Sequence, residues 1–377
     1  MSGTAVFEVT VERLVAGGEG LARREGKALF VAGLLPGERA AVRLVESRKD
    51  FDRAALVEVL DPSPDRVRPA CPLAGRCGGC DWLHVSRDAQ IRLKRAIVRE
   101  TLRRTGRIER DEPPLEPGPP FAYRNRVQLH RHPSGALGYR EAAGHRVVEA
   151  RACPVAVGPI NGLLADPPPA ESIALDRFTA FGDASWVACE GRDDDRELSV
   201  EVADRKVAFS VGCFFQSNLA ALQGLARHAA AAAGSGGAAA DLYAGVGLFS
   251  TFVAGRFARL VAVESSASSL SFAARNAAPA VLEAFPMTVE QWITAGAAGG
   301  PFDAVIVDPP RIGLGRGVRA WLVSAHPRTL VYVSCNPVTL ARDLGELTRG
   351  GYEIDDLRLF DFTPQTSHVE AVAVLRS

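Results

Sequence analysis

A chain of 377 residues with 47% hydrophobic and 23% charged side chains reads as a soluble globular protein of two or three domains with ample core. Its 44 basic and 44 acidic residues cancel, which removes any whole-molecule electrostatic argument for a nucleic-acid partner, and no apolar run is long enough to cross a membrane. The first twenty residues carry Glu8 and Glu12 and do not read as a secretory leader, so a cytoplasmic location is expected. In that setting an odd seven cysteines argue against disulfides.

Residues 4 to 60 alternate apolar and polar positions in short runs (Ala5–Val11, Leu29–Val31, Glu38–Val45, Ala54–Leu60) punctuated by Gly17, Gly18, Gly20, Gly26, Gly33 and Pro36-Gly37. That pattern predicts a small closed or nearly closed β barrel over residues 1 to 61. In Gly17-Gly-Glu-Gly-Leu-Ala22 and Leu35-Pro-Gly-Glu38 the stretch resembles a TRAM domain, an OB-like module, and the resemblance implies contact with RNA. Pro62, Pro64 and Pro69 then make a stiff linker.

Three cysteines follow within ten residues, Cys71, Cys77 and Cys80, with Gly and Pro between them; Cys153 stands far downstream in Arg-Ala-Cys-Pro. Such a loop can wrap several sulfurs around one metal centre, and a distant fourth ligand would tie two segments together. The spacing lacks the paired rhythm of a zinc ribbon but leaves both zinc and an iron–sulfur cluster open.

Charge is distributed unevenly. Nine cations lie between Arg87 and Arg110 against three acids, and Arg124, Arg126, Arg131, Arg140, Arg146 and Arg151 follow against Glu141 and Glu149. Such a patch serves a polyphosphate partner or is simply a solvated face. An amphipathic helix is expected over 90 to 106, and strands over 123–130, 137–139, 146–149, 198–202 and 206–211, giving a middle, mainly antiparallel α+β domain over 62 to 205.

From Leu219 helices and strands alternate, predicting a doubly wound, Rossmann-like α/β domain over 206 to 377 whose last two strands lie too close for a crossover helix and pair antiparallel. Asp241-Leu-Tyr-Ala-Gly-Val-Gly247 ends the first strand in a tight Gly turn, and Glu264 ends the second where a carboxylate can accept from both ribose hydroxyls. A G-x-G without a third Gly, preceded by an acid, suits S-adenosylmethionine better than a dinucleotide. Val331 to Asp343 runs from a hydrophobic strand through a turn carrying Cys335 into a helix with Pro337 at its first position. The helix amino terminus is expected to lower the thiol pKa and favour a nucleophilic thiolate; an isolated Cys at a strand end is otherwise a small buried hydrophobe.

Taken with Ser334-Cys-Asn-Pro337, the segments Gly212-Cys-Phe-Phe-Gln-Ser-Asn218, Asp308-Pro-Pro-Arg311 and Thr366-Ser-His-Val-Glu370 resemble, in the same chain order, the RNA uracil-5-methyltransferase family, and the barrel and four cysteines resemble its ribosomal-RNA branch. The resemblance implies methylation of carbon 5 of a uridine, most simply in 23S rRNA, with Cys335 as nucleophile and Glu370 as base. It implies cofactor contacts at Gln216, Tyr243, Glu264 and Asp308, an aromatic against the target base at Phe214, and a 4Fe-4S cluster on Cys71, Cys77, Cys80 and Cys153. Asn218, Arg311 and His368 fall inside the motifs without a defined role, and the cofactor contact after the third strand stays open between Thr288 and Glu290. The protein is expected to act as a monomer. Competing readings are a transfer-RNA uridine methyltransferase, an amine methyltransferase that uses Asp-Pro-Pro-Arg without a covalent step, and a non-catalytic RNA-binding protein.

Overall fold

The computed structural model describes residues 6–377, so the expected first strand is seen from Val6, with Ala5 outside the described residues. Six strands form the N-terminal sheet in the order Val6–Thr10, Arg39–Ser47, Phe51–Asp61, Lys27–Val31, Gly20–Arg24 and Arg13–Leu14. Alternation drives its curling: Val9 from one edge strand, Ala22 from near the other, and Leu29, Val31, Ala40, Val42 and Ala54 between them share one core. Register shifts along the pairing of 39–47 with 51–61 supply the bend. Glu38, buried in the Leu-Pro-Gly-Glu motif, accepts from the amides of Leu35 and Ser63 and from Arg66 at 2.5 and 2.7 Å. Burial works to raise its pKa, but Arg66 and the two amides hold it below the usual carboxylate value. That motif residue thereby clamps the sheet to the proline-rich linker.

The middle sheet is antiparallel, in the order Val147–Glu149, Leu137–Arg140, Arg126–Arg131, Arg177–Asp183 and Trp186–Cys189. Val127, Leu129, Leu137, Phe178 and Ala180 face the helix Gly158–Ala165. Other parts of the span 62 to 205 belong elsewhere. The helix Arg87–Thr101 buries Val98, and the turn after it buries Leu102, in the C-terminal core; Leu115–Glu116 pairs parallel with Leu359 and Phe360. The boundary expected between 205 and 206 falls inside a hairpin, Leu198–Val202 with Arg205–Phe209, whose apolar face is built into the C-terminal core with Leu222 and Phe249. Alternation located the strands around 126–131, 137–140, 147–149 and the hairpin 198–209 but missed Arg177–Asp183 and Trp186–Cys189, and it could not say which core the apolar faces join.

The C-terminal sheet has eight strands, in the order Leu282–Phe285, Phe257–Val263, Gly236–Leu242, Ala304–Val307, Thr329–Ser334, Glu370–Arg376, Glu353–Phe360 and Leu115–Glu116. The run Thr329–Ser334 is buried throughout, as a strand covered on both faces must be. Its alternate residues divide between two layers: Val331 and Val333 pack with the helix Leu219–Ala233, and Leu330 and Tyr332 with the helix Pro337–Arg349. The last two long strands pair antiparallel, as their short connection requires.

That connection, residues 361 to 369, is held by the segment 81 to 94. Lys94 and Asp361, both fully buried, meet at 2.6 Å, and Arg87 bonds the second carboxylate oxygen. Gln90 and Gln365 exchange two hydrogen bonds, the Trp82 amide donates to the Gln365 carbonyl, and the Tyr123 hydroxyl donates to the Pro364 carbonyl. Removing one member of such a pair leaves a buried charge undercompensated, at a cost of about 3 to 5 kcal/mol. Lys94→Met is therefore expected to lower the urea midpoint at unchanged slope, with Lys94→Met/Asp361→Asn recovering part of the loss. Equal stability of wild type and Lys94→Met would show that the pair does not brace the loop.

Candidate active site

One edge of the C-terminal sheet collects the chemistry. Glu264 follows the strand Phe257–Val263, Tyr243 follows Gly236–Leu242, Asp308 follows Ala304–Val307, Cys335 follows Thr329–Ser334, and Glu370 opens the antiparallel strand beside it. Neighbouring strands lie about 4.8 Å apart, so these five residues span roughly 19 Å along the edge. Tyr243 and Asp308 flank the gap where the strand order reverses direction, the position at which open α/β sheets take ligands.

Register brings the two reactive groups together. Ser334 pairs with Ala371, so one step further along the same ladder Cys335 stands beside Glu370. Cys335 sits just before Asn336, which caps the helix Pro337–Arg349 by accepting from the Val338 amide. The expected lowering of the thiol pKa is not what the surroundings produce. Burial, then the carboxylates of Glu370 and Asp308, push Cys335 up to about 11 against the opposing charge of Arg311. The helix terminus is outweighed by desolvation and two neighbouring acids.

The acids are themselves unsettled. Protein mass around Glu370 and repulsion from Asp308 raise its carboxyl to about 8, with Arg311 opposing, although solvent still reaches part of the side chain. Asp308 is raised to about 7 by burial and by Asp241, and Asp241 to about 6 by burial, although Ser250 donates to one of its oxygens through amide and hydroxyl. The other Asp241 oxygen is buried without a partner. Asp241 adds negative charge beside Asp308 and Asp308 does the same for Glu370, which alone of the three is opposed by Arg311, so the cluster favours a cation.

Loops fix the remaining motif residues. The Arg311 carbonyl accepts from Asn336 and Thr339, and Arg342 donates to the Ile312 and Leu314 carbonyls. Buried Asp343 anchors this assembly, accepting from the Leu314 amide and from the Tyr332 hydroxyl at 2.7 Å. Gly247 has φ +77° and an added Cβ would stand 2.7 Å from Ala273, so only glycine serves there. Leu248 is buried in the core and offers nothing to a ligand. Glu264 accepts from the amides of Gly245 and Ser266. Tyr243 adopts a left-handed backbone, φ +62°, and its hydroxyl is turned to Glu290, whose charge comes after burial as the cause of its raised pKa. Thr288 caps the next helix in a reciprocal arrangement with Gln291 and is occupied by that role.

The segment 212 to 218 crosses the mouth of this edge. Cys213 lies 3.5 Å from the Ser268 hydroxyl behind Glu264, and Asn218, fully buried, caps the helix Leu219–Ala233 and donates to the Phe362 carbonyl. Between them Phe214 is 62% exposed, an expensive arrangement for a phenyl ring unless something covers it, and Gln216 is half-buried. The Arg126 guanidinium lies 5.4 Å from the Phe214 ring centroid. Sequence reading counted Arg126 only as part of a charge patch; its place on alternate positions of a strand was the available signal. His368 stands just before the strand Glu370–Arg376 with part of its side chain open to solvent, and the surrounding protein, followed by Arg311, lowers its pKa.

Cys71, Cys77, Cys80 and Cys153 line one recess of about 30 Å³ with Tyr139 and Arg124. Among the described residues no three His, Cys, Asp or Glu side chains converge closely enough to bind one metal ion. Burial, followed by proximity to the Cys153 sulfur, pushes Cys80 up to about 12. The Tyr139 hydroxyl and Arg124 Nε at this wall are buried without partners.

Residues 300–377 match the profile of the tRNA (uracil-5-)-methyltransferase family and residues 4–57 that of the TRAM domain. The chain is 33% identical to the 23S rRNA (uracil(1939)-C(5))-methyltransferase RlmD of Pectobacterium atrosepticum, over 97% of this chain and 92% of that one. It is 31% identical to an uncharacterized RNA methyltransferase of Bdellovibrio bacteriovorus, over 98% and 95%. Its fold is similar to that of the Pyrococcus abyssi tRNA (uracil-54, C5)-methyltransferase solved with S-adenosyl-L-homocysteine, with a TM-score of 0.75 and 24% identity over 98% of this chain and all of that one. Near-complete coverage at this identity, with both domains matched in order, means that the chain belongs to the RNA (uracil-5-)-methyltransferase family.

Proposed function

We propose that the protein methylates carbon 5 of a uridine in 23S rRNA through a covalent bond between Cys335 and the pyrimidine. The observation that carries this reading is the ladder register that sets Cys335 beside Glu370, with Asp308 and Arg311 within electrostatic reach. Carbon 5 of uracil is too weak a nucleophile to take a methyl group unaided. The Cys335 thiolate adds to carbon 6, and the resulting enolate makes carbon 5 nucleophilic. Bound S-adenosylmethionine would supply the electrophilic methyl, which carbon 5 takes as the methyl–sulfur bond breaks and the neutral thioether S-adenosylhomocysteine leaves. Glu370 then takes the proton from carbon 5, the carbon–sulfur bond breaks, and Cys335 leaves as thiolate.

Gln216, Tyr243, Glu264 and Asp308 are the proposed cofactor contacts, with Glu264 on the ribose. Phe214 stacks on the extruded base, which accounts for its exposure. The TRAM-like sheet supplies RNA contact. Ribosomal rather than transfer RNA is favoured because relatives that share the whole chain at 31 to 33% identity include 23S rRNA enzymes.

The four cysteines line one recess, and the resemblance of the barrel and the cysteines to the ribosomal-RNA branch of the family favours an iron–sulfur cluster over zinc. Cys71, Cys77, Cys80 and Cys153 would hold a 4Fe-4S cluster that ties the loop 71–80 to the segment around 153. Protein purified without air is expected to contain iron and absorb visible light, with Cys80→Ser losing both; bound zinc without iron would overturn the assignment.

Proton linkage gives a second test. Folded-state pKa values of about 6, 7 and 8 for Asp241, Asp308 and Glu370 lie above the ordinary carboxylate value near 4, so the folded apoprotein retains protons that the unfolded chain releases. Their contribution is full below about pH 4 and is lost as pH rises toward about 8. The melting temperature of the apoprotein should fall from pH 5 to 8.5 relative to Asp308→Asn/Glu370→Gln, and S-adenosylmethionine should narrow the gap. Parallel profiles would mean that these carboxyls titrate normally.

The covalent step is tested with RNA carrying 5-fluorouridine, from which Glu370 has no proton to remove. Wild type should form an adduct stable to denaturing electrophoresis and Cys335→Ala should form none. With ordinary RNA, Glu370→Gln should slow turnover by about 10²- to 10⁴-fold and accumulate the bonded species. An active wild type that forms no adduct would favour direct methylation. Mass spectrometry of ribosomal and transfer RNA from a deletion strain would decide the substrate.

A further inference from the structure

The basic patch read from the sequence divides into two kinds of arginine. Between residues 87 and 110 nearly every cation has a carboxylate partner: Arg87 and Lys94 on Asp361, Arg92 on Asp65, Arg95 and Arg99 on Glu112, Arg103 and Arg104 on Glu100. These charges are spent within the protein. Among the described residues, Arg124, Arg126 and Arg140 have no carboxylate within 4 Å, and all three lie on or beside the middle sheet.

A polar groove of about 270 Å³ runs between these residues, lined by Arg124, Gln128, His130, Tyr139, Arg140 and Glu141 and open to solvent. That is room for a sugar–phosphate unit, not only for an ion. Its charge is positive: Glu141 is matched by Arg146 at 3.3 Å, Arg140 has no acid partner, and Arg124 is shared with the cysteine recess. His130 is kept neutral by burial and by Arg140 and Arg177, which lower its pKa, so it offers hydrogen bonds without charge. The buried Arg124 Nε and Tyr139 hydroxyl lack partners at this wall, and they separate the groove from the cysteine recess. Gly78 donates to the Arg140 carbonyl and Cys77 pairs with Glu141, which holds the cysteine loop to the groove.

The groove is in line with the target site. Val127 and Leu129 turn into the core, and Gln128 and His130 line the groove on the alternate positions of the strand Arg126–Arg131. Arg126, which faces Phe214, occupies the preceding alternate position, about 7 Å from Gln128 along the strand. A chain leaving the base stacked on Phe214 and following this strand enters the groove within one or two nucleotides.

We propose that this groove binds the phosphodiester backbone of the RNA immediately beside the target uridine, with Arg140 and Arg124 meeting phosphate and Gln128 and His130 contacting the sugar or base. The inference rests on the reading of the substrate as RNA and deepens it by assigning a second contact region away from the reacting atoms. An extruded base is released readily unless its flanking backbone is held, and a fixed neighbour supplies that restraint.

The test uses the anaerobically purified full-length protein and two RNAs, one covering the target uridine and its groove-side neighbours, the other ending at the target uridine on that side. Arg140→Ala should weaken the longer RNA about tenfold, make its salt dependence shallower by about one phosphate contact, and act on KM rather than kcat. The RNA that ends at the target should bind Arg140→Ala and wild type alike. Because the Arg140 backbone carries the cysteine loop, Gln128→Glu, on the exposed face of the neighbouring strand, is the second variant and should weaken the longer RNA in the same way at unchanged iron content. Unchanged affinity and salt slope in both variants, or equal losses for both RNAs, would overturn the groove assignment. Adduct formation with 5-fluorouridine RNA in wild type reports separately on the methylation reading, so failure of one is distinguishable from failure of the other.

Discussion

The antiparallel pairing of Thr329–Ser334 with Glu370–Arg376 is the constraint on which the site depends. A parallel neighbour would end at this edge with Cys335 and present another strand terminus; an antiparallel one begins here, and so brings Glu370 at the start of the last strand to the edge that carries Cys335 and Asp308. A slip of one residue in that ladder would turn Glu370 to the opposite face of the sheet. Such a slip is opposed by the burial of Ala371 through Leu375 between two helical layers and by the brace of Lys94, Arg87 and Gln90 on the preceding loop.

Electrostatics then distinguish this edge from an ordinary strand terminus. Asp241, Asp308 and Glu370 are crowded in a place that disfavours their charged forms, and Cys335 is raised by the same surroundings. Such a cluster is costly to maintain without a positive ligand, and a sulfonium or ammonium group supplies the missing charge.

The middle of the chain serves both neighbours. Its first helix and the short strand Leu115–Glu116 are incorporated into the C-terminal domain, while its antiparallel sheet keeps a separate core and turns unpaired arginines outward. Charge count treats the stretches 87 to 110 and 124 to 151 as one patch. Pairing separates them, because a guanidinium already bonded to a buried aspartate has little left to offer a phosphate.

Local pattern was enough for the alternating strands of the N-terminal sheet, the Ala-rich helix, the buried run before Cys335, the turn at Gly247 and the antiparallel final pair, because each depends on periodicity or on a conformation that few residues adopt. The motifs around Phe214, Asp308, Cys335 and Glu370 were legible by a different route, their resemblance to the RNA uracil-5-methyltransferase family and their order along the chain. Other features involve residues distant in the chain, and no window of sequence contains both partners. Lys94 reads as one more surface cation until Asp361 is placed against it, and Arg126 as part of a patch until Phe214 faces it. The direction of the Cys335 pKa belongs to this second class: the helix beside it was legible, whereas desolvation and the two acids that outweigh the helix exist only once the strands are assembled.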